Sequence, residues 1–177
     1  MRPSIKILEK FSSQYFNRKQ PKIRWKKMKS MGEAHYNTNI IYINPDPSSH
    51  RLGCEIGSAM FYEPGDKLKI KGYYEECFLS LLHEIAHFKF RKWKIPKEWI
   101  PLKRKLGRMH PNNLEMQAYS VEDLFDKFPG ELELEDFRHY VIGGSTAVPA
   151  LHIKVENWAI FEFRKQRKNI RKIISAT

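Results

Sequence analysis

The sequence predicts an α+β protein, in which a small twisted mixed sheet packs on one long helix and additional helices follow toward the C-terminus. Two observations support this prediction. Stretches rich in β-branched and aromatic residues, which favour strands, fall within the first 45 positions. The residues from 73 to 93 then contain neither glycine nor proline, which is typical of a helix. A chain of 177 residues suits one domain over 1–177 with a substantial core.

Apolar spacing defines the elements before that helix. Residues from Ile5 to Tyr15 recur at helical spacing and predict an opening amphipathic helix. The stretch PKIRWKKMK alternates apolar and basic residues, which indicates a strand. The stretch NIIYIN, residues 39–44, predicts another strand that ends at the turn residues NPDP. A hairpin from CEIGSAMFY and KLKIK is expected between residues 54 and 71.

The second half of the chain is predicted to be mainly helical. Pro96 and Pro101 bracket what we expect to be a basic connector. Residues 112–128 space Leu114, Ala118, Val121, Phe125 and Phe128 as one helix face. A helix over ELELEDFRHYVI is expected to stop at the glycine pair 143–144. From Leu151 onward the pattern fits either a strand or a helix.

Composition limits the classes of protein and of partner. No apolar run approaches the ~20 residues that cross a bilayer, so no membrane partner is expected. The N-terminus lacks the apolar core of a signal peptide. Only two cysteines are present, which favours a reducing, cytoplasmic setting over a disulfide framework. A net charge of +12 favours polyanionic partners, nucleic acid among them, although a well-solvated lysine-rich surface has the same composition.

The stretch FLSLLHEIAHFKF, residues 78–90, places a His-Glu-x-x-His pattern on the predicted helix. Residues four apart share a helix face, so His83 and His87 can direct ring nitrogens at one metal ion. Zinc lowers the pKa of a bound water toward ~7, and a carboxylate such as that of Glu84 then accepts its proton. We therefore expect one Zn²⁺ ion, with Glu84 as general base. The alternative is an ordinary helix whose polar residues pair among themselves or with water.

A catalytic zinc site needs a third protein ligand from elsewhere in the chain. The pattern HExxHxxGxxH does not continue here, because Phe90 and Trp93 occupy the glycine and the last histidine positions. Glu115, at the start of a predicted helix, is the first candidate, and His110 is the alternative. Each also has a structural interpretation. Glu115 follows Asn112 at capping-box spacing, and His110 can be an exposed turn residue.

The stretch from YFNRKQPKIRW through GEAHYNTNIIYINPDP to HEIAHF resembles the SprT-like proteins, in which a helix ending near YF precedes a Trp-containing strand, a glycine, an I-x-INP strand and the HExxH helix. The same HEIAH, together with a later E-x-x-A at 115–118, resembles the ImmA/IrrE-type and minigluzincin proteases. Both groups are zincin metallopeptidases that hydrolyse peptide bonds. The resemblance covers roughly residues 15–125, and HEIAH is its most specific part.

This resemblance implies a zincin-like fold, a protein or peptide substrate and zinc on His83 and His87, with Glu84 as general base. The third ligand is a glutamate in the ImmA/IrrE-type proteases, which implies Glu115, and a histidine in the SprT-like proteins, which implies His110. The NIIYIN strand would be the edge strand along which an extended substrate pairs. SprT-like proteins act on protein attached to DNA, which would suit the basic charge of this chain.

Three further groups are weaker candidates. His139 and Tyr140 are candidate transition-state helpers, although a helix-surface pair is the alternative. Cys54 is a candidate for a thiol that caps the zinc, against a small buried thiol. Basic residues cluster at 18–29, at 91–108 and in a C-terminal tail of about 164–177. The candidate nucleic-acid contacts in this tail surround Asn169 and are Arg164, Lys165, Arg167, Lys168, Arg171 and Lys172.

Overall fold

A computed structural model of the chain describes residues 2–46, 70–143 and 147–176, with the side chains of 147–149 excepted. The described chain is α+β, as the sequence predicts, and combines several helices with a three-stranded mixed sheet. It divides into two compact units. The first unit comprises Met1–Lys89 and Ala159–Thr177, and the second comprises Phe90–Trp158. The predicted hairpin between residues 54 and 71 lies outside the described residues, except for its last two positions.

The sheet of the first unit contains β1 (Lys22–Trp25), β2 (Gly32–His35) and β3 (Ile40–Ile43). Its strand order is β1-β3-β2, with β3 parallel to β1 and antiparallel to β2. Alternate residues of β3 are fully buried, namely Ile41 and Ile43, so one face of the sheet lies on the core. Two of these strands, β1 and β3, coincide with the stretches in which the sequence predicts strands.

The expectation that NIIYIN is an edge strand is wrong. Within the described chain, β3 has a hydrogen-bonded neighbour on each side, and β2 has β3 as its neighbour on one side. The short β2 segment, GEAH, contains a glycine, an alanine and two polar residues, so its strand propensity is low. Pairing with β3 through the turn at residues 36–39 gives it strand structure, and sequence propensity alone does not predict that pairing.

Two helices of the first unit cover its core. The opening helix α1 (Ile5–Ser12) begins at Ser4, whose hydroxyl accepts a hydrogen bond from the Ile7 N–H, and a short 3-10 turn follows it. The long helix α2 (Gly72–Phe90) lies where the stretch without glycine and proline predicts it. Phe11 of α1 packs edge-to-face on Phe78 of α2, with ring centroids 4.9 Å apart.

The second unit contains α3 (Trp99–Met109), α4 (Leu114–Tyr119) and α5 (Glu131–Ile142). The predicted connector between Pro96 and Pro101 is therefore wrong in its second half, because α3 begins at Trp99. Pro101 is the third residue of this helix, where its missing N–H leaves no intrahelical hydrogen bond unmade. Helix α5 ends before Gly143, as the sequence predicts.

The prediction of one helix over 112–128 is also wrong. Helix α4 ends at Tyr119, and residues Glu122–Lys127 form a 3-10 helix. The buried residues Ala118, Val121 and Leu124 recur every three positions, which is the period of a 3-10 helix. Leu114 and Phe125, which were expected on the buried face, are each 51% exposed.

The last helix, α6 (Ala147–Ser175), contributes residues to both units. The choice between strand and helix from Leu151 onward is therefore decided in favour of a helix, and residues 164–175 are its last turns. Within the first unit, the buried Glu75 carboxylate of α2 accepts hydrogen bonds from Arg171 at 2.7 Å and from Arg167 at 3.4 Å. It also accepts from the Lys71 N–H at the start of α2. No helix of the described residues is long and apolar enough to cross a membrane.

A buried polar network joins α5 and α6 in the second unit. Asp136, which is 1% exposed, accepts hydrogen bonds from Lys154 at 2.7 Å and from the Asn157 amide at 2.9 Å. The Asn157 amide group also contacts His139 Nδ1, and His139 Nε2 lies 3.3 Å from Glu135. Burial raises the pKa of Asp136 from 3.8 to about 6, against the lowering effect of Lys154 and Asn157.

The pKa of Asp136 predicts how this residue affects stability as the pH changes. Because the folded chain holds this proton more tightly than the unfolded chain, the contribution of Asp136 to stability decreases as the pH rises from ~4 to ~6. Relative to an Asp136→Asn variant, we expect the free energy of unfolding of the parent to fall by up to ~3 kcal/mol across that range. Urea unfolding at a series of pH values measures this difference, and parallel pH profiles would contradict the prediction.

Candidate metal centre

The HEIAH segment lies in the buried middle of α2. Helical residues from Glu75 to Ala86 are all buried, so His83 and Glu84 face protein and not bulk water, at 9% and 5% exposure. Polar side chains that are buried in this way need polar partners. His83 and His87 point toward each other, with their Nε2 atoms 3.1 Å apart and their ring centroids 4.8 Å apart. The helix therefore brings two imidazole nitrogens to one point.

The distance between these nitrogens fits zinc. Two ligand nitrogens at ~2.0–2.1 Å from a tetrahedral zinc ion lie about 3.3 Å apart. The observed 3.1 Å separation of the two Nε2 atoms is close to this value. A hydrogen bond between a protonated and an unprotonated imidazole nitrogen would give a similar distance. The donor set and the spacing are thus both compatible with a metal ion.

The carboxylate of Glu84 lies against the backbone of β2. A β-carbon built on Gly32 would lie 2.8 Å from both Cγ and Oε1 of Glu84, and 3.1 Å from its Cδ. Gly32 pairs with Ile43 across the sheet, and Ala34 pairs with Ile41. Directly opposite residues have side chains on the same face of a sheet, so Gly32 and Ala34 belong to the face that carries the buried isoleucines. This face of β2 therefore meets the HEIAH segment.

The residue after β2 contacts the same helix further along. The Tyr36 hydroxyl donates a hydrogen bond to the backbone carbonyl of His87 at 3.3 Å, and the Tyr36 ring packs edge-to-face on Phe88. Strand β2 thus follows α2 from Glu84 to Phe88. On the opposite face of the sheet, Glu33 forms ion pairs with Lys26 and His35. Hydrogen bonds from these two side chains lower the pKa of Glu33 below its ordinary value.

The two third ligands that the sequence suggests stay predictions. Glu115 is exposed in the first turn of α4, and the residue that caps this helix is Asn113, whose side chain accepts from the Met116 N–H. The capping box expected between Asn112 and Glu115 is therefore wrong, because the cap lies one residue later. His110 is half-buried, and its Nε2 lies 2.9 Å from the Ser120 hydroxyl.

His139 and Tyr140 do not form a helix-surface pair. Both are buried in the second unit, at 5% and 7% exposure. His139 belongs to the Asp136 network, and Tyr140 packs among Trp99 and Phe137 in the apolar core. Their environment gives them a structural role, and their role as transition-state helpers stays a prediction.

The described cysteine, Cys77, does not add to the site. Cys77 is a fully buried free thiol on α2, and burial raises its pKa to about 12. Such a thiol is unreactive, because the thiolate is the reactive form. Cys54, the candidate zinc-capping residue, lies outside the described residues.

The six basic residues at the end of α6 separate into two groups. Arg167 and Arg171 form ion pairs with the buried Glu75. The exposed remainder, Arg164, Lys165, Lys168 and Lys172, includes three residues at spacing i, i+4 and i+8, which share one side of the helix. The fourth exposed residue, Lys165, lies with its Nζ atom 3.9 Å from the Glu162 carboxylate. The predicted polyanion contacts are thus partly used to join α6 to α2.

Comparison with known proteins gives no match, whether with protein-family models, with curated proteins or with solved structures. The class of protein must therefore be argued from the residues and the geometry of the site.

The convergence of His83 and His87 predicts that the protein contains zinc. We expect the parent to bind about one zinc ion per chain, and the His83→Ala and His87→Ala variants to retain less than ~10% of it after dialysis, because two protein ligands hold zinc far more weakly than three. His35→Ala is the matched control, since His35 is an exposed histidine that pairs with Glu33. Elemental mass spectrometry measures the content.

The third ligand is assigned by extending the same measurement. Loss of zinc in Glu115→Ala, with zinc retained in His110→Ala, would assign Glu115 as the third ligand. The reverse result would assign His110. A parent that binds no stoichiometric zinc, even after zinc is added, would contradict the metal centre.

Proposed function

We propose that this chain is a zinc-dependent metallopeptidase of the zincin class. The observation that carries the proposal is the convergence of His83 and His87, with Nε2 atoms 3.1 Å apart, beside the buried carboxylate of Glu84. Peptide hydrolysis needs a Lewis acid and a general base within reach of one water molecule. An HExxH helix supplies both from one face.

Each residue of the site has a separate role in the proposed reaction. Zinc, when bound, would supply the Lewis acid that polarises the scissile carbonyl and lowers the pKa of the attacking water. His83 and His87 would hold the ion together with a third protein ligand. Glu84 accepts the proton of the attacking water and then delivers it to the nitrogen of the leaving amine. The products are a carboxylic acid and an amine.

Strand β2 is the place where an extended peptide substrate would bind. The Asn44 N–H donates a hydrogen bond to the Met31 carbonyl. In an antiparallel pair every second residue is hydrogen-bonded to the neighbouring strand, so Met31, Glu33 and His35 bond to the chain of β3. The N–H and C=O groups of Gly32 and Ala34 then face away from β3. A peptide that pairs with these groups adds a strand to the sheet directly beside Glu84.

Glu84→Gln separates catalysis from metal binding. Glutamine keeps the size and polarity of the side chain but accepts no proton, so we expect zinc content to stay at the parent level while peptide cleavage falls by ~10²–10⁴-fold. Zinc content and the cleavage of a quenched fluorescent peptide library measure the two effects. A variant that cleaves as well as the parent would contradict the role of Glu84.

A second function, association with nucleic acid, is supported by the exposed basic side of α6. Arg164, Lys168 and Lys172 recur along about 12 Å of helix, because each residue rises ~1.5 Å. Cations at this spacing can contact successive phosphates of a nucleic acid. In this form of the proposal, the chain acts on protein attached to DNA or serves mainly as a nucleic-acid-binding module.

Charge reversal tests that second function. We expect Lys168→Glu combined with Lys172→Glu to weaken DNA binding and to reduce the slope of log affinity against log salt by about 2. Lys6→Glu combined with Lys10→Glu, at exposed positions of α1, is the matched control for the change in net charge. Fluorescence anisotropy of a labelled duplex over a salt series measures both quantities, and equal slopes in all variants would contradict this interface.

The proposed setting of either activity is the cytoplasm. The small number of cysteines and the buried thiol of Cys77 suit a reducing compartment.

A further inference from the structure

We propose that Gly32 is a positioning residue for Glu84: because position 32 has no side chain, the Glu84 carboxylate can lie directly against β2. The catalytic consequence of this inference rests on the proposed peptidase function. The contact itself does not, because it follows from the packing of α2 on the sheet.

The space at Gly32 is already occupied by the glutamate. A β-carbon on Gly32 would come within 2.8 Å of Glu84 Cγ and Oε1, whereas ordinary contacts of β-carbons begin at about 3.4 Å. The other glycines whose surroundings are described are less restricted. A β-carbon on Gly130 meets no atom within 4 Å, and one on Gly143 has its closest contact at 3.8 Å. A methyl group at position 32 therefore fits only if the Glu84 side chain moves.

The conformation of the backbone does not require glycine at this position. Within the described chain, Gly72 is the glycine with a positive φ, at 76°, and Gly32 has the ordinary extended conformation of a strand. Any residue adopts that conformation without strain. Position 32 thus requires a small residue because the Glu84 side chain occupies the space that a β-carbon would take.

The sheet at Gly32 is held in place, so a conflict there displaces the glutamate. Gly32 pairs with the fully buried Ile43, and the Asn44 N–H bonds to the Met31 carbonyl at 2.9 Å. The Asn44 side chain also donates hydrogen bonds to the carbonyls of Met28 and Ser30 and so fixes the loop that enters β2. The Glu84 side chain can change its rotamer, whereas the strand is held by its hydrogen bonds to β3 and to Asn44. Alanine at position 32 therefore moves the carboxylate away from its present position.

A displacement of this kind affects catalysis more than metal binding. His83 and His87 lie on the same helix, but neither is among the atoms that the added β-carbon would meet. A shift of about 1 Å in a catalytic group costs ~10²-fold in rate. We therefore expect Gly32→Ala to lower kcat by ~10²-fold with KM and zinc content within about twofold of the parent.

A double-mutant cycle tests the contact without reference to activity. The four zinc-supplemented proteins are the parent, Gly32→Ala, Glu84→Ala and the double variant, and thermal unfolding measures each Tm. Overpacking predicts that Gly32→Ala lowers the Tm by at least ~3 °C in the parent, and by less than ~1 °C in the Glu84→Ala background. Gly130→Ala is the control for a glycine-to-alanine change without contact with Glu84, and we expect it to be additive with Glu84→Ala.

The outcomes separate this inference from the proposed function. An equal Tm loss in both backgrounds would show that Gly32 serves something other than Glu84 and would overturn the inference, as would an active parent whose Gly32→Ala variant keeps its kcat. A non-additive cycle together with a large loss of kcat supports it. A non-additive cycle in a parent that binds no zinc and cleaves no peptide would support the contact while refuting the peptidase function and the catalytic role with it.

Discussion

The burial of polar residues in the middle of α2 is the constraint on which the structure of the first unit depends. His83 and Glu84 are inside the protein, where polar groups without partners destabilise the fold. The structure accommodates these two buried side chains in different ways. His87 meets His83 through its ring nitrogen, and Gly32 leaves room for the Glu84 carboxylate beside the sheet. An apolar helix of the same length would need neither arrangement.

Buried charge is a second theme, and it organises both units. Glu75 joins α2 to the last turns of α6 through two arginines, and Asp136 joins α5 to α6 through Lys154 and Asn157. Buried ion pairs contribute little net stability, but removing one partner leaves a charge that is costly to bury. They therefore specify which helices pair more than they strengthen the pairing. These pairs also place Arg167, Arg171 and Lys154 against buried carboxylates.

The local elements could be predicted where one signal dominates. The absence of glycine and proline predicts α2, and glycine at 143 predicts the end of α5. Predictions were wrong where tertiary packing outweighs local pattern. Phe125 was assigned to a buried face by helical periodicity, but the 3-10 geometry of 122–127 turns it to solvent. The segment GEAH has no strand propensity of note, and it becomes a strand because β3 offers it hydrogen bonds.

The sequence by itself determined which polar side chains the central helix brings together. Four-residue spacing places the two histidines on one face, with the adjacent glutamate one position further round, because the helical period is local. Only the tertiary structure decided what surrounds that helix. The pairing of β1 with β3, the contact of Glu84 with Gly32 and the hydrogen bond from Tyr36 to His87 all join residues far apart in the chain. No local rule of propensity or spacing encodes such contacts, because they arise from how whole elements pack.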